Sequence, residues 1–317
     1  MSLTSALVGA VLPILAVAAA GALLGRALAV DVDPLNTVTL YLLVPALVFH
    51  SLATTTLSAA TIGRLAVGAT AFVLAMAAVA EGVGRLLGEP EPYLSALVLA
   101  ATFPNVGNFG IPLSSFAFGP VGRTTAVVYT TVMGVLMFTV GIWLAARSGG
   151  EDAAGAVSAV FELPLVYAAV AALLARWLGA VPPADGAAMQ TVKLLGDASI
   201  PLLLVVLGIQ LSEVDVRNVS RVAAPVALKL LVAPAVGLGV ALALGFSDAT
   251  VARVFVLEAA APTAVLPLAF ALEYGPEMPD GEMTAAEYVG AAILVTTLAS
   301  TVVATVLVAV LQAGLLV

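Results

Sequence analysis

The stretch FPNVGNFGIP, residues 103–112, sets two asparagines, two glycines and two prolines within an otherwise apolar region of the chain. Asn105 and Asn108 supply amide donors and acceptors, groups that suit a carboxylate or the water around it. Pro104 lacks an N–H and clashes with the carbonyl four residues earlier, so it frees the carbonyl of Ala100; Pro112 does the same for Asn108. Gly107 and Gly110 lower the cost of unwinding and let another backbone come close. A helix restarting here aims free N–H groups and a positive dipole end at its surroundings, which favours an anion. A second break, EAAAPTAVLP at 258–267, carries Pro262, Thr263 and Pro267. Glu258 lies one turn before Pro262 on the same helix face, placed to hold a proton or a sodium ion; a solvated or ion-paired helix-entrance glutamate is the alternative.

Other ionisable groups in apolar runs are costly and therefore informative. Asp197, ahead of Pro201, is a second candidate for ion coupling, or else a partner for Lys193 one turn earlier. Lys229 is deep enough in its run to need a partner and reads as structural or cavity-lining. Glu81 reads as an interfacial side chain, and so does His50, the single histidine. With no cysteine and one histidine, a metal site built on thiolates or a histidine cluster is excluded, as is a cysteine nucleophile.

These groups must be positioned by helices in lipid. The 317 residues are 62% hydrophobic and only 9% charged, too apolar for a water-soluble domain. Apolar runs of membrane-crossing length predict ten helices: 6–29, 35–53, 61–87, 93–118, 124–146, 157–179, 189–212, 219–245, 250–273 and 288–313. The first lacks the basic flank of a signal peptide and reads as a membrane helix. The linker 146–157 and the acidic stretch 275–287 read as surface loops.

The runs repeat. LPILAVAAAGALLGR (12–26) parallels LPLVYAAVAALLAR (163–176), and Arg64 before run three parallels Arg221 before run eight. Pro104 and Pro112 in run four match Pro262 and Pro267 in run nine. Two five-helix units follow, 1–150 and 151–317; an odd number of crossings inverts the second copy. The expected fold is an all-α polytopic membrane protein whose broken helices four and nine cross. Basic residues divide evenly between the two sides and leave the orientation open.

At these motifs the chain resembles the auxin efflux carrier family, which includes bacterial and archaeal organic-anion carriers and the plant PIN proteins. FPNVGNFGIPL is similar to that family's Asn-x-Gly-x-x-Gly-x-Pro segment. IPLLLVVLGIQL (200–211), LKLLVAPAV (228–236) and AAAPTAVLPLAFALEYG (259–275) resemble its motifs in helices seven, eight and nine. Where the family often has a polar residue shortly after Pro-Thr-Ala-Val, this chain has Leu266-Pro267-Leu268. The resemblance implies inverted five-helix repeats crossing as in the bile-acid sodium symporters, an extracellular N-terminus and alternating access.

The function expected is secondary transport of a small organic anion across the cell membrane, driven by a proton or sodium gradient. Asn105, Asn108, Gly107, Gly110 and Thr263 would contact substrate; Pro104, Pro112, Pro262 and Pro267 would shape the crossover. Glu258 or Asp197 would carry the ion, with sodium near Glu258 as one form of it. A membrane-embedded enzyme would need a nucleophile with its base, paired aspartates or metal ligands, and none stands out. A receptor on a transporter fold is the other alternative. No nucleotide-binding loop occurs, no cofactor is called for, and the acidic net charge of −8 does not suit nucleic acid. Assembly as a homodimer is left open.

Overall fold

The computed structural model describes residues 11–28, 30–147, 163–213, 219–274 and 283–317. Most of the two expected surface loops lies outside the described residues. Helices form wherever the sequence is uniformly apolar: α1 (Leu12–Leu28), α2 (Val32–Ala53), α3 (Ala59–Leu87), α4 (Tyr93–Thr102) and α5 (Val106–Ala146). They continue as α6 (Pro164–Trp177), α7 (Ala187–Glu213), α8 (Ala223–Leu244), α9 (Ala249–Ala259), α10 (Leu266–Tyr274) and α11 (Ala285–Gln312). Among the described residues, six helices (α2, α3, α5, α7, α8 and α11) are long and apolar enough to cross a membrane. Their outward faces carry Val67, Leu194, Leu231 and Val302, which lipid rather than water must cover.

Local chemistry sets several of the ends. Ser58 caps α3 by accepting from Thr61 N, and Gly88 closes that helix in the left-handed region at φ 72°. Thr284 and Glu287 form a reciprocal capping box at the start of α11. Expected runs four and nine are each divided in two, as α4 with the start of α5 and as α9 with α10.

α5 reverses direction part-way. Gly119 leaves helical geometry at φ 62° and ψ −147°, with Pro120 after it, so α5 has two arms, 106–118 and 120–146. A straight helix would hold Asn108 and Met137 about 43 Å apart, yet both line one cavity.

The helices pack in two groups. α1, α2, α6 and α7 form one, with α1 lying tightly on α7. At that crossing Gly21 meets the backbone of Val205, and Gly208 meets the backbone of Ala18, an approach that only small residues permit. α3, α4, α5 and α8–α11 form the other. Each group draws helices from both sequence halves, 1–150 and 151–317.

Candidate substrate site where two helix breaks meet

α4 stops at Thr102 because Pro104 follows: the residue before a proline is pushed out of the helical region, and Phe103 is extended at φ −95°, ψ 110°. α9 stops at Ala259, and the chain runs non-helically until α10 begins at Leu266. Pro112 and Pro267 do not break helices. Pro267 sits at the second position of α10, where no N–H is needed, and Pro112 follows the π-helical turn Val106–Gly110 within the first arm of α5.

The two extended segments pair with each other. Pro104 and Thr263 form an antiparallel bridge. Asn105 N donates to Pro262 O at 2.7 Å, and Ala264 N donates to Phe103 O at 2.9 Å. Polar backbone exposed by each break is thus satisfied by the other, as burial in an apolar medium requires. The Ala100 carbonyl, expected to be freed by Pro104, accepts from Thr263 Oγ1 at 2.8 Å. Its neighbour, Ala101 O, accepts from the fully buried Lys229 Nζ at 3.4 Å, so an amine donor meets the carbonyl end of α4. Lys229 also lies over the Phe72 ring.

Asn105 caps the restarted helix: its Oδ1 accepts from Asn108 N at 3.2 Å. This fixes the amide, leaving Nδ2 as a donor, buried and without a protein partner. Next to the break lies a cavity of about 550 Å³ between the two helix groups. Pro104, Asn105, Gly107 and Asn108 line it on one side together with Thr130 and Met133 of the second α5 arm. Asn36, Tyr41, Leu165 and Gln210 line it from the other group. Among the described residues, the lining holds amides, hydroxyls and apolar side chains but no charged one.

Several residues expected at the site stand elsewhere. Thr263 is fully buried with its hydroxyl on Ala100 O and its N–H on Thr296 Oγ1, and it does not line the cavity. Gly110 faces Glu258 instead: a Cβ there would overlap the carboxylate, lying 2.8 Å from its Cδ. Glu258 is fully buried, accepts from Ser114 Oγ at 2.6 Å, and has no ion-pair partner among the described residues. Its second oxygen has no hydrogen-bond partner. Asp197 pairs with Lys193 at 2.5 Å and with Arg123 across the groups, away from the cavity. Glu81, expected at the membrane interface, pairs with Arg85 and Arg147, each at 2.7 Å.

Sequence reasoning passed over Gln210 and Ser114. Gln210 is the one amide in the apolar stretch IPLLLVVLGIQL (200–211), which was signal enough; its Oε1 is buried and unpartnered in the cavity wall.

A family model described as membrane transport protein matches residues 6–308, nearly the whole chain. The chain belongs to that membrane transport family, the one to which the auxin efflux carriers belong. An uncharacterized transporter of Methanothermobacter thermautotrophicus is 31% identical over 178 residues, 56% of this chain. The match spans 57% of that relative's length. Within a membrane transport family, paired helix breaks beside a cavity gain a reading: non-helical backbone is kept at membrane depth where it lines a pathway.

Proposed function

We propose that this family member is a secondary carrier of a small organic anion, working by alternating access in the cell membrane. The observation that carries the reading is the pair of crossing breaks, bordered by an amide-lined cavity between two helix groups. Ten membrane crossings in two inverted units of five, 1–150 and 151–317, fit the helix positions and the symmetrical use of both breaks. The substrate carboxylate binds at Asn105 and Asn108, beside the positive end of the restarted helix. With no charge among the described lining residues, a single carboxylate on a partly apolar body suits the cavity better than several charges do.

Glu258 carries the coupling ion. A fully buried carboxylate with one hydroxyl donor and no cation is costly, and protonation removes that cost. A proton fits better than sodium, because Ser114 Oγ is the one side-chain oxygen paired with the carboxylate among the described residues.

The test is flux in proteoliposomes with a panel of mono- and dicarboxylates under imposed proton or sodium gradients. Gradient-driven uptake or release of a monocarboxylate, lost in Asn105→Ala/Asn108→Ala, is the expected result. Undiminished flux in that double variant would remove the site.

A further inference from the structure

Among the described residues, one ion pair joins the two helix groups: Arg123, in the second arm of α5, with Asp197 of α7. Arg85–Glu81, Arg147–Glu81 and Arg147–Glu91 lie within one group, and Lys193–Asp197 lies within α7. The joining pair stands apart from the cavity. Asp197 is about 20 Å along α7 from Gln210, and Arg123 about 10 Å along α5 from Thr130. Along the same two helices Val127 of α5 and Leu204 and Leu207 of α7 are buried. Beyond them a charge pair bridges the two groups.

The geometry points to Arg123 and Asp197 as an ion-pair gate that holds the side opposite the cavity shut. This rests on the alternating-access reading above, under which that interface must part once in each cycle.

Three features suit the pair to that role. The two side chains are 17% and 36% exposed, and parting of the helix groups would open both to water. When the groups part, Asp197 keeps Lys193 one turn away on its own helix, 2.5 Å from the carboxylate. Arg123 has no competing bond, because its Nε and Nη2 have no protein partner. Opening therefore breaks one tie, and closing re-forms it between residues already poised by their own helices. His50 of α2 stands within electrostatic reach of all three charges.

The natural chain lacks cysteine, which permits a direct test. Leu204 lies seven residues beyond Asp197 on the same helix face and is buried. In nanodiscs, Leu204→Cys is expected to react slowly with a membrane-impermeant thiol reagent. Adding Arg123→Gln or Asp197→Asn should raise that rate about tenfold, while Arg123→Lys, which keeps the charge, should leave it near the starting value. Equal rates in all the variants would overturn the gate. So would an Arg123→Lys rate matching that of Arg123→Gln, since packing and not charge would then hold the seal. In a second arm, Arg123→Cys/Asp197→Cys is bridged by a bis-methanethiosulfonate reagent. Flux should stop on bridging and return on reduction; flux that continues through the bridged protein overturns the proposal. The labelling arm needs no substrate, so it reads the gate even where the carboxylate assignment fails.

Discussion

Ser114 Oγ donates a 2.6 Å hydrogen bond to Glu258 Oε1, linking the first arm of α5 to the last turn of α9 beside the crossing. The two residues are 144 positions apart and both fully buried. The carboxyl therefore reports to both broken helices at once. Replacing it with an amide of the same shape removes the titrating proton and keeps the volume. Glu258→Gln is expected to bind substrate and exchange it across the membrane, but with no response to an imposed proton gradient. Ser114→Ala should keep the response while slowing gradient-driven flux about tenfold, the effect of losing one hydrogen bond of roughly 1.5 kcal/mol. Flux by Glu258→Gln that still follows the proton gradient would assign coupling elsewhere.

Gly110 and Glu258 share one space. A methyl group on Gly110 overlaps the carboxylate, so Gly110→Ala should lower stability by about 1–3 kcal/mol, the usual range for overpacking. Glu258→Ala vacates that space. In its background the same Gly110→Ala change should cost less than about 0.5 kcal/mol, because the clash has gone. Thermal unfolding of the four proteins in detergent closes this double-mutant cycle; additive losses would mean that Gly110 is needed for its backbone rather than for the carboxylate.

How much of this was legible beforehand follows the range of the interaction. Pro104 frees the carbonyl of Ala100 through a four-residue rule, and the structure has that carbonyl bonded outside its own helix. The group that takes it up, Thr263, is 163 residues away, and a sequence does not say where a hydroxyl points. Thr263 consequently reads as a substrate ligand when its side chain is in fact committed to backbone. Pro112 and Pro267 read as breakers on the same local rule. Yet Pro267 stands in the first turn of α10, where a proline is compatible with a helix, and Pro112 follows a π-helical turn that the first arm of α5 continues through. Asp197 was legible only as far as Lys193, one turn off; its bond to Arg123 depends on how two helix groups meet. The breaks themselves were readable because proline and glycine act on the nearest turn.

The Thr263 hydroxyl also makes a prediction that separates structure from recognition. Thr263→Val keeps the shape and leaves Ala100 O buried without its donor, a loss of about 1–3 kcal/mol. Thr263→Ser should recover most of it. Neither change should alter the order in which a carboxylate panel competes for transport, because the side chain does not line the cavity. A changed order of preference, measured by competition in proteoliposomes, would return Thr263 to the binding site.

Gln210 carries the opposite expectation. It stands on α7, across the cavity from Asn105 and Asn108, with an unpartnered buried Oε1. An amide kept unpaired in a cavity wall destabilises the fold slightly, so an apolar replacement of similar size should not lower the melting temperature. What it removes is a contact from the helix group that does not carry the breaks. Gln210→Leu should therefore weaken apparent substrate affinity about tenfold while leaving thermal stability unchanged or raised. Gln210→Glu, of nearly the same shape, adds a negative charge opposite Asn105 and should weaken a carboxylate substrate more strongly than Leu does. Measured by concentration dependence of flux and by thermal shift in parallel, the order native, Leu, Glu identifies a residue facing the anion. Identical affinities in all three would mean that the substrate is held by the broken helices alone.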